Sequence, residues 1–351
     1  MDGNQQQPWS GGPIAVSQGS FPGSDPREPV RIMSGENPDL PSVPELPGRG
    51  PGADMIGRAL SLLAQVAPEF AGETTSSGWR LAGRVTDPGT RAMRRADSWL
   101  AQDVEACEEG YHAAPAIKVA VAGPWTLAAN VELRGGHRML ADPGAMRDLR
   151  DAYPEVVRRL AGRMRRSWPQ VTLQIDEPSL PAVLAAGIAT PSGLDAYRSV
   201  STEEAHKALS EAVRAARESG AATVLHCCAV PAPLALLRSV GVDALSLDLT
   251  GQTPDGRGGQ DEEQLGQLLE SEGSLVAGVV AWAVDGPTAP VTATVGSVMA
   301  LLDRLGIPLD SCAARLAVST PCGLAGASPV GARATTIRAA EVSAVLAREV
   351  A

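Results

Sequence analysis

The sequence has few aromatic residues and few cysteines. Of its 351 residues, 3% are Phe, Trp or Tyr, and five are cysteines. The low aromatic content predicts a core built mainly from small aliphatic side chains. Five cysteines, an odd number that includes an adjacent pair, do not make a disulfide framework in a chain of this length and indicate a reducing compartment.

Basic stripes and long apolar runs are also missing. Acidic residues outnumber basic ones by 40 to 30, which gives a net charge of -10. No stretch combines clustered Lys or Arg with aromatic residues, so we expect no nucleic-acid partner. No apolar run reaches the roughly 18 residues of a membrane span, and the first residues lack the basic and apolar regions of a signal peptide. We therefore expect a cytoplasmic protein without membrane contact.

Apolar strand patterns alternate with helical patterns along the chain, which is typical of a parallel sheet covered by helices. The predicted strands span residues 13–20, 79–83, 116–123, 171–175, 222–228, 242–249, 274–281 and 316–324. Eight such units in a chain of this length favour a closed (β/α)8 TIM barrel, and no glycine-rich nucleotide-binding motif follows the first strand. The prediction is an α/β protein with a disordered tail (1–12) and a single barrel domain (13–351), in which residues 24–52 form a long loop.

A histidine and two adjacent cysteines end one predicted strand. Side chains alternate along a strand, so His226 and Cys228 share one face while Cys227 points to the other. Asp248 and Cys322 end two later strands, and the carboxyl ends of parallel strands meet at one mouth of a barrel. One imidazole, two thiolates and a carboxylate suit Zn²⁺ better than Mg²⁺ or Ca²⁺. The pattern thus indicates a zinc site, although buried cysteines and a structural histidine would give the same local sequence.

An acidic pair, Asp176 and Glu177, ends another predicted strand. The two side chains point to opposite faces if the strand persists, which directs Asp176 towards the same mouth. A carboxylate at this place could instead cap the helix that follows.

Taken together, these motifs resemble the catalytic barrel of cobalamin-independent methionine synthase, whose superfamily also contains uroporphyrinogen decarboxylase. The matching segments follow the family's order and span nearly the whole chain, as in its short, single-barrel forms. They are Gly19-Ser20-Phe21-Pro22, Gly123-Pro124-Trp125-Thr126-Leu127, Gln174-Ile175-Asp176-Glu177-Pro178-Ser179-Leu180, His226-Cys227-Cys228, Asp243-Ala244-Leu245-Ser246-Leu247-Asp248 and Pro321-Cys322-Gly323-Leu324.

The resemblance implies a ligand set and a cofactor. It makes His226, Cys228 and Cys322 zinc ligands, and it places Asp248 where the family has a zinc-ligating glutamate. Asp248 is one methylene shorter than that glutamate, so it would reach the metal through water or after a shift of its strand.

The resemblance also implies a substrate and a reaction. Gly19 and Ser20 lie on the turn that contacts the amino-acid substrate, and Asp176 would bind its ammonium group as the catalytic carboxylate. Family members transfer a methyl group from a folate to the sulfur of homocysteine. The implied function is therefore zinc-dependent methyl transfer to a thiol, with homocysteine as acceptor, methionine as product, and a small-molecule thiol and a methyl donor as partners.

Three departures from the family concern the methyl donor. Asn130 falls near the tryptophan that stacks on the folate, Ala283 falls near the proton-donating histidine, and the family's His-Gly-Glu stretch is missing. They leave open a zinc-dependent alkyltransferase that uses another thiol or a corrinoid methyl donor. They also leave open a degenerate barrel that binds zinc or a thiol without turnover.

Overall fold

A computed structural model describes residues 7–9, 11–83, 90–111, 114–252 and 259–350. Within these ranges the strands are β1 (Ile14–Ala15), β2 (Gly72–Thr75), β3 (Gly78–Leu81), β4 (Ala116–Ala122), β5 (Val131–Glu132), β6 (Gln170–Asp176), β7 (Ala221–Cys227), β8 (Ala244–Asp248), β9 (Ser274–Gly278), β10 (Trp282–Ala283), β11 (Gly286–Pro287) and β12 (Leu316–Ser319). The helices are α1 (Arg27–Glu36), α2 (Met55–Val66), α3 (Arg91–Gly110), α4 (Pro124–Asn130), α5 (Pro143–Met164), α6 (Leu180–Leu184), α7 (Thr202–Glu218), α8 (Leu234–Ser239), α9 (Glu262–Glu270), α10 (Val291–Leu305), α11 (Leu309–Cys312) and α12 (Pro329–Val350). Short 3₁₀ helices span Pro47–Arg49, Pro68–Phe70, Met139–Ala141 and Ala313–Arg315.

Seven of the described strands form one curled parallel sheet, in the order β1-β12-β9-β8-β7-β6-β4. Every residue of β4, β7 and β9 is buried, as expected for strands of a parallel sheet that is covered on both faces. The α/β class is therefore confirmed, and seven of the eight predicted strands contribute to this sheet.

The remaining predicted strand, at 79–83, lies elsewhere. β3 pairs antiparallel with β2 and parallel with β5 in a separate three-stranded sheet. Trp79 explains its apolar character, since the indole is buried and Nε1 donates to Asp54, the residue that caps α2. Because Trp79 packs against α2, this segment has the apolar pattern of a strand although it lies outside the main sheet.

The segment 41–45 lies between the two edges of the main sheet. The backbone N–H of Val43 donates to the carbonyl of Lys118 in β4, and the N–H of Glu45 donates to the carbonyl of Gly19 beyond β1. Both connections are parallel bridges. This short extended segment contains two prolines, which explains why its sequence does not predict a strand.

The predicted loop at 24–52 contains a helix, α1. Its apolar side is short and consists of Pro29, Val30 and Met33, all buried. Pro29 lies in the first turn, where a missing backbone N–H costs nothing. Conversely, α5 continues through Pro154, although a proline inside a helix removes a backbone hydrogen bond.

The structure differs from the predicted disordered tail at Pro8 and Trp9. Trp9 is buried with Ile14, Val224 and other apolar residues near the amino-terminal ends of the strands, and the hydroxyl of Thr172 in β6 donates to the carbonyl of Pro8. A large aromatic side chain that fills this end of the sheet orders the backbone around it. Residues 1–6 and 10 lie outside the described ranges.

The core consists mostly of Ala, Val and Leu, as the composition predicts. None of the described helices is long and apolar enough to cross a membrane.

Candidate metal centre and acidic pocket

Three of the four predicted metal ligands converge at the carboxyl ends of β7 and β12. His226 is the penultimate residue of β7, Cys228 follows that strand, and Cys322 lies three residues after β12. One potential ligand atom from each residue lies within 4.8 Å of the others, and no second group of this kind occurs among the described residues. Cys227 is fully buried in the core, on the opposite face as predicted.

The imidazole of His226 is held by the neighbouring strand. Nδ1 lies 3.2 Å from the carbonyl oxygen of Ser246 and 3.0 Å from its hydroxyl. A carbonyl can only accept, so we assign the proton of this contact to Nδ1, which leaves Nε2 available to a metal. Metal-binding histidines in proteins are commonly oriented in this way.

The two sulfur atoms change each other's acidity. The hydrogen bond from Cys228, followed by that from His226, lowers the pKa of the Cys322 thiol to about 4. The same hydrogen bond to Cys322, followed by burial, raises the pKa of the Cys228 thiol well above its ordinary value. The group thus holds one thiolate readily, and thiolate is the form of cysteine that binds metal ions.

The fourth predicted ligand, Asp248, is not part of this group. It ends β8, and its Oδ1 accepts hydrogen bonds from the backbone N–H of Thr250 at 2.8 Å and from the Thr250 hydroxyl at 2.6 Å. This local turn engages the carboxylate. The donor set is therefore one imidazole and two thiolates, which fits zinc in a site with three protein ligands and an open position.

A small pocket, with about 80 Å³ of free volume, adjoins the three candidate ligands. The predicted substrate-binding residues Gly19, Ser20 and Asp176 all line it. Gly19 has a φ of +118°, a conformation that strongly favours glycine. The backbone carbonyl of Ser20 accepts from Leu324, and a side chain at Gly323 would collide with the Ser20 hydroxyl. The Gly19-Ser20 turn and the Cys322 loop thus fit together at one wall.

Glu45, which the sequence does not single out, is a second carboxylate in this pocket. Burial raises its pKa to about 7, an effect that Arg58 opposes and Asp176 adds to. Burial also raises the pKa of Asp176, against the influence of His226 and of a hydrogen bond from Gln174. A cation placed between two such carboxyl groups would stabilise the ionised form of both.

Glu177 serves the fold and not the pocket. It is fully buried, and its carboxylate accepts from the backbone N–H groups of Trp125 and Thr126 and from the Thr126 hydroxyl, at 2.8–3.0 Å, at the start of α4. Burial raises its pKa to about 7, while these hydrogen bonds oppose the rise. A side chain at Gly123 would collide with this carboxylate. The buried Glu177 carboxylate therefore connects segments 123–127 and 174–180, two of the segments on which the family resemblance rests.

No protein-family model matches the sequence, and no curated protein matches it. Among solved structures, a B12-independent methionine synthase from a Shewanella species, in complex with selenomethionine, is similar over 96% of this chain and 98% of that chain, with 11% identity and a TM-score of 0.60. The fold is TIM-barrel-like. A β-glucosidase is less similar, with 12% identity over 88% of both chains and a TM-score of 0.40. A xylanase from Thermotoga maritima has 13% identity over 64% of this chain and 67% of that chain, with a TM-score of 0.33.

Proposed function

We propose that the protein is a zinc-dependent methyltransferase that methylates a thiol, with homocysteine as the acceptor and methionine as the product. The observation that carries the proposal is the His/Cys/Cys group at the edge of a pocket with two carboxyl groups. Metal-binding sulfur and acidic recognition groups together suit a substrate that carries both a thiol and an ammonium group. The fold likeness to a methionine synthase supports the same proposal.

His226, Cys228 and Cys322 would hold the zinc ion. Zinc bound there would keep the substrate thiol in its thiolate form, whereas a free thiol with a pKa of about 8.5 is only a few per cent ionised at neutral pH. In the overall reaction a sulfur–methyl bond forms, the bond between the methyl group and its donor breaks, and the thiol proton is released. Asp248 is not proposed as a permanent ligand, because its Oδ1 accepts two hydrogen bonds from Thr250.

Glu45 and Asp176 would bind the ammonium group of the acceptor, with the Gly19-Ser20 turn against its backbone atoms. This assignment follows from the position of both carboxyl groups on the pocket wall. We also infer that residues 41–45 act as the eighth strand and close the barrel, since their backbone bonds to both edges of the sheet. In this arrangement closure of the barrel is what brings Glu45 to the site.

The methyl donor is proposed to be a folate or a corrinoid. Asn130 ends α4, and its amide is bonded to the Thr126 carbonyl and the Ser179 hydroxyl, so it offers no ring on which a folate could stack. Ala283 lies in β10 and offers no proton. The absence of a stacking ring and of a proton donor at these two positions favours a second candidate function. In that function the protein is a zinc-dependent alkyltransferase that uses a corrinoid donor or another thiol.

The first test is the zinc content of the protein purified without added metal. We expect about one zinc per chain, lost in Cys322→Ser and kept in the control Cys312→Ser, which replaces a buried cysteine remote from the candidate ligands. Absence of zinc, or zinc that is unaffected by Cys322→Ser, would refute the proposal.

The second test is methyl transfer to homocysteine with a methylfolate or a methylcorrinoid. Product with either donor identifies the reaction. A zinc-loaded protein that binds homocysteine and forms no product with either donor would instead be a binding barrel without turnover.

A further inference from the structure

A buried lysine lies beneath the pocket. Lys118, in β4, is 1% exposed, while Ala120, two residues further along the same face of the strand, lines the pocket. Lys118 is therefore one layer deeper than the pocket wall. Its Nζ lies 2.6 Å from Oε1 of Gln174 and 3.5 Å from the carbonyl of Gln18.

Lys118 determines which way the Gln174 amide points. A lysine ammonium donates hydrogen bonds and accepts none, so Oε1 of Gln174 must face Lys118. The amide nitrogen then faces the other way, where it donates to Oδ1 of Asp176 at 2.7 Å and to the backbone carbonyl of Gln18 at 3.3 Å. Gln174 and Asp176 share the inner face of β6 because they are two residues apart.

The pKa of Lys118 reflects both its burial and the two carboxyl groups above it. Burial lowers the pKa of Lys118 to about 8, while Asp176 and Glu45 oppose the fall. The lysine thus lies below two carboxyl groups and contacts neither directly, since an uncharged amide separates it from Asp176. Removing the lysine would leave Oε1 of Gln174 buried without its donor, so the amide would lose the contact that holds it in place beside Asp176.

We propose that Lys118 is a positioning residue for the acceptor substrate: through Gln174 it holds the Asp176 carboxylate in the orientation that binds the substrate's ammonium group. The inference rests on the proposed function, in particular on an amino-acid thiol as the acceptor. It assigns a role in substrate affinity to a side chain that does not touch the substrate.

The test compares homocysteine with 4-sulfanylbutanoate, which has the same thiol and carboxylate but no amino group. Dissociation constants are measured by calorimetry on the zinc-loaded wild type and on Lys118→Met. We expect Lys118→Met to bind homocysteine roughly tenfold more weakly, the effect of a disturbed hydrogen bond to a charged group. Its affinity for 4-sulfanylbutanoate and its zinc content should stay unchanged.

Thr335→Ala is the control for the loss of a buried polar side chain, because Thr335 is buried in α12 and bonds to the Gly331 carbonyl, not to Gln18 or Gln174. Gln174→Met breaks the same connection while it keeps the lysine, and it replaces Lys118→Met if that variant does not fold. Equal weakening of both thiols, or no weakening of either, would overturn the inference while the proposed function stands. A zinc-loaded wild type that binds homocysteine no better than 4-sulfanylbutanoate would overturn the ammonium site itself and this inference with it.

Discussion

The raised pKa of Glu45 predicts that the protein becomes less stable as the pH rises. Its pKa in the folded protein is about 7, against an ordinary value of 4.5. The folded protein therefore binds this proton more tightly than the unfolded chain between these two values. The stabilising effect is fully present below about pH 4.5 and is lost as the pH rises through about 7.

The size of the effect follows from the two pKa values. One pKa unit corresponds to about 1.4 kcal/mol, so the full difference is about 3 kcal/mol. This is a substantial part of the roughly 5–15 kcal/mol that stabilises a folded domain. Glu45→Gln keeps the shape of the protonated side chain and removes the ionisation. Arg58 keeps its partner in this variant, because it also pairs with Asp103 at 2.7 Å.

The assay is urea unfolding of the wild type and of Glu45→Gln, followed by circular dichroism at pH 5, 6.5 and 8. We expect similar free energies of unfolding at pH 5 and a variant that is more stable by about 2–3 kcal/mol at pH 8. The gain in stability should accompany weaker homocysteine binding, since a neutral amide replaces a carboxylate that faces the ammonium group. Parallel pH profiles for the two proteins would refute the assignment of the high pKa to Glu45.

Three further predictions concern the metal centre and its supporting helix. Cys228→Ser should lose the zinc and Cys227→Ser should keep it, as measured by metal analysis; the reverse result would contradict the assignment of strand faces. Asp248→Ala should retain the zinc, because its carboxylate is bound to the turn after β8, and loss of metal from this variant would identify Asp248 as a ligand. Glu177→Ala should lower the free energy of unfolding by about 3 kcal/mol or more, since three donors at the start of α4 lose their acceptor. A loss no larger than that of Glu218→Ala, which removes an exposed salt bridge, would show that those donors find other partners.

The candidate metal ligands could be predicted because of their residue types and their places on the strands. Histidine and cysteine are uncommon in this chain, with four and five copies, and three of them follow apolar strands that are easily recognised. Alternation then separates Cys227 from Cys228 without further information. Asp248 is different: it also ends a recognisable strand, but its short side chain bonds to the turn that follows that strand.

Glu45 could not be predicted in the same way. It lies in a proline-containing segment whose extended backbone depends on hydrogen bonds to β4 and to the end of β1, both distant in sequence. Local pattern predicts a loop there, because no alternation of apolar residues marks the segment. The available signal was weak: a single carboxylate in a run of apolar and proline residues.

The two carboxyl groups of the pocket, Glu45 and Asp176, explain why a fold packed with small aliphatic residues retains polar side chains in its interior. Asp176 requires a donor that keeps its orientation, Gln174 supplies that donor, and Lys118 fixes the amide that does so. Each of these groups would cost stability if it were buried alone, so they are favourable only together. Burying such a polar network stabilises a fold less than an apolar core of the same size would. Its position directly below a pocket that also contains the candidate metal ligands fits the proposed acceptor, which carries a positive charge.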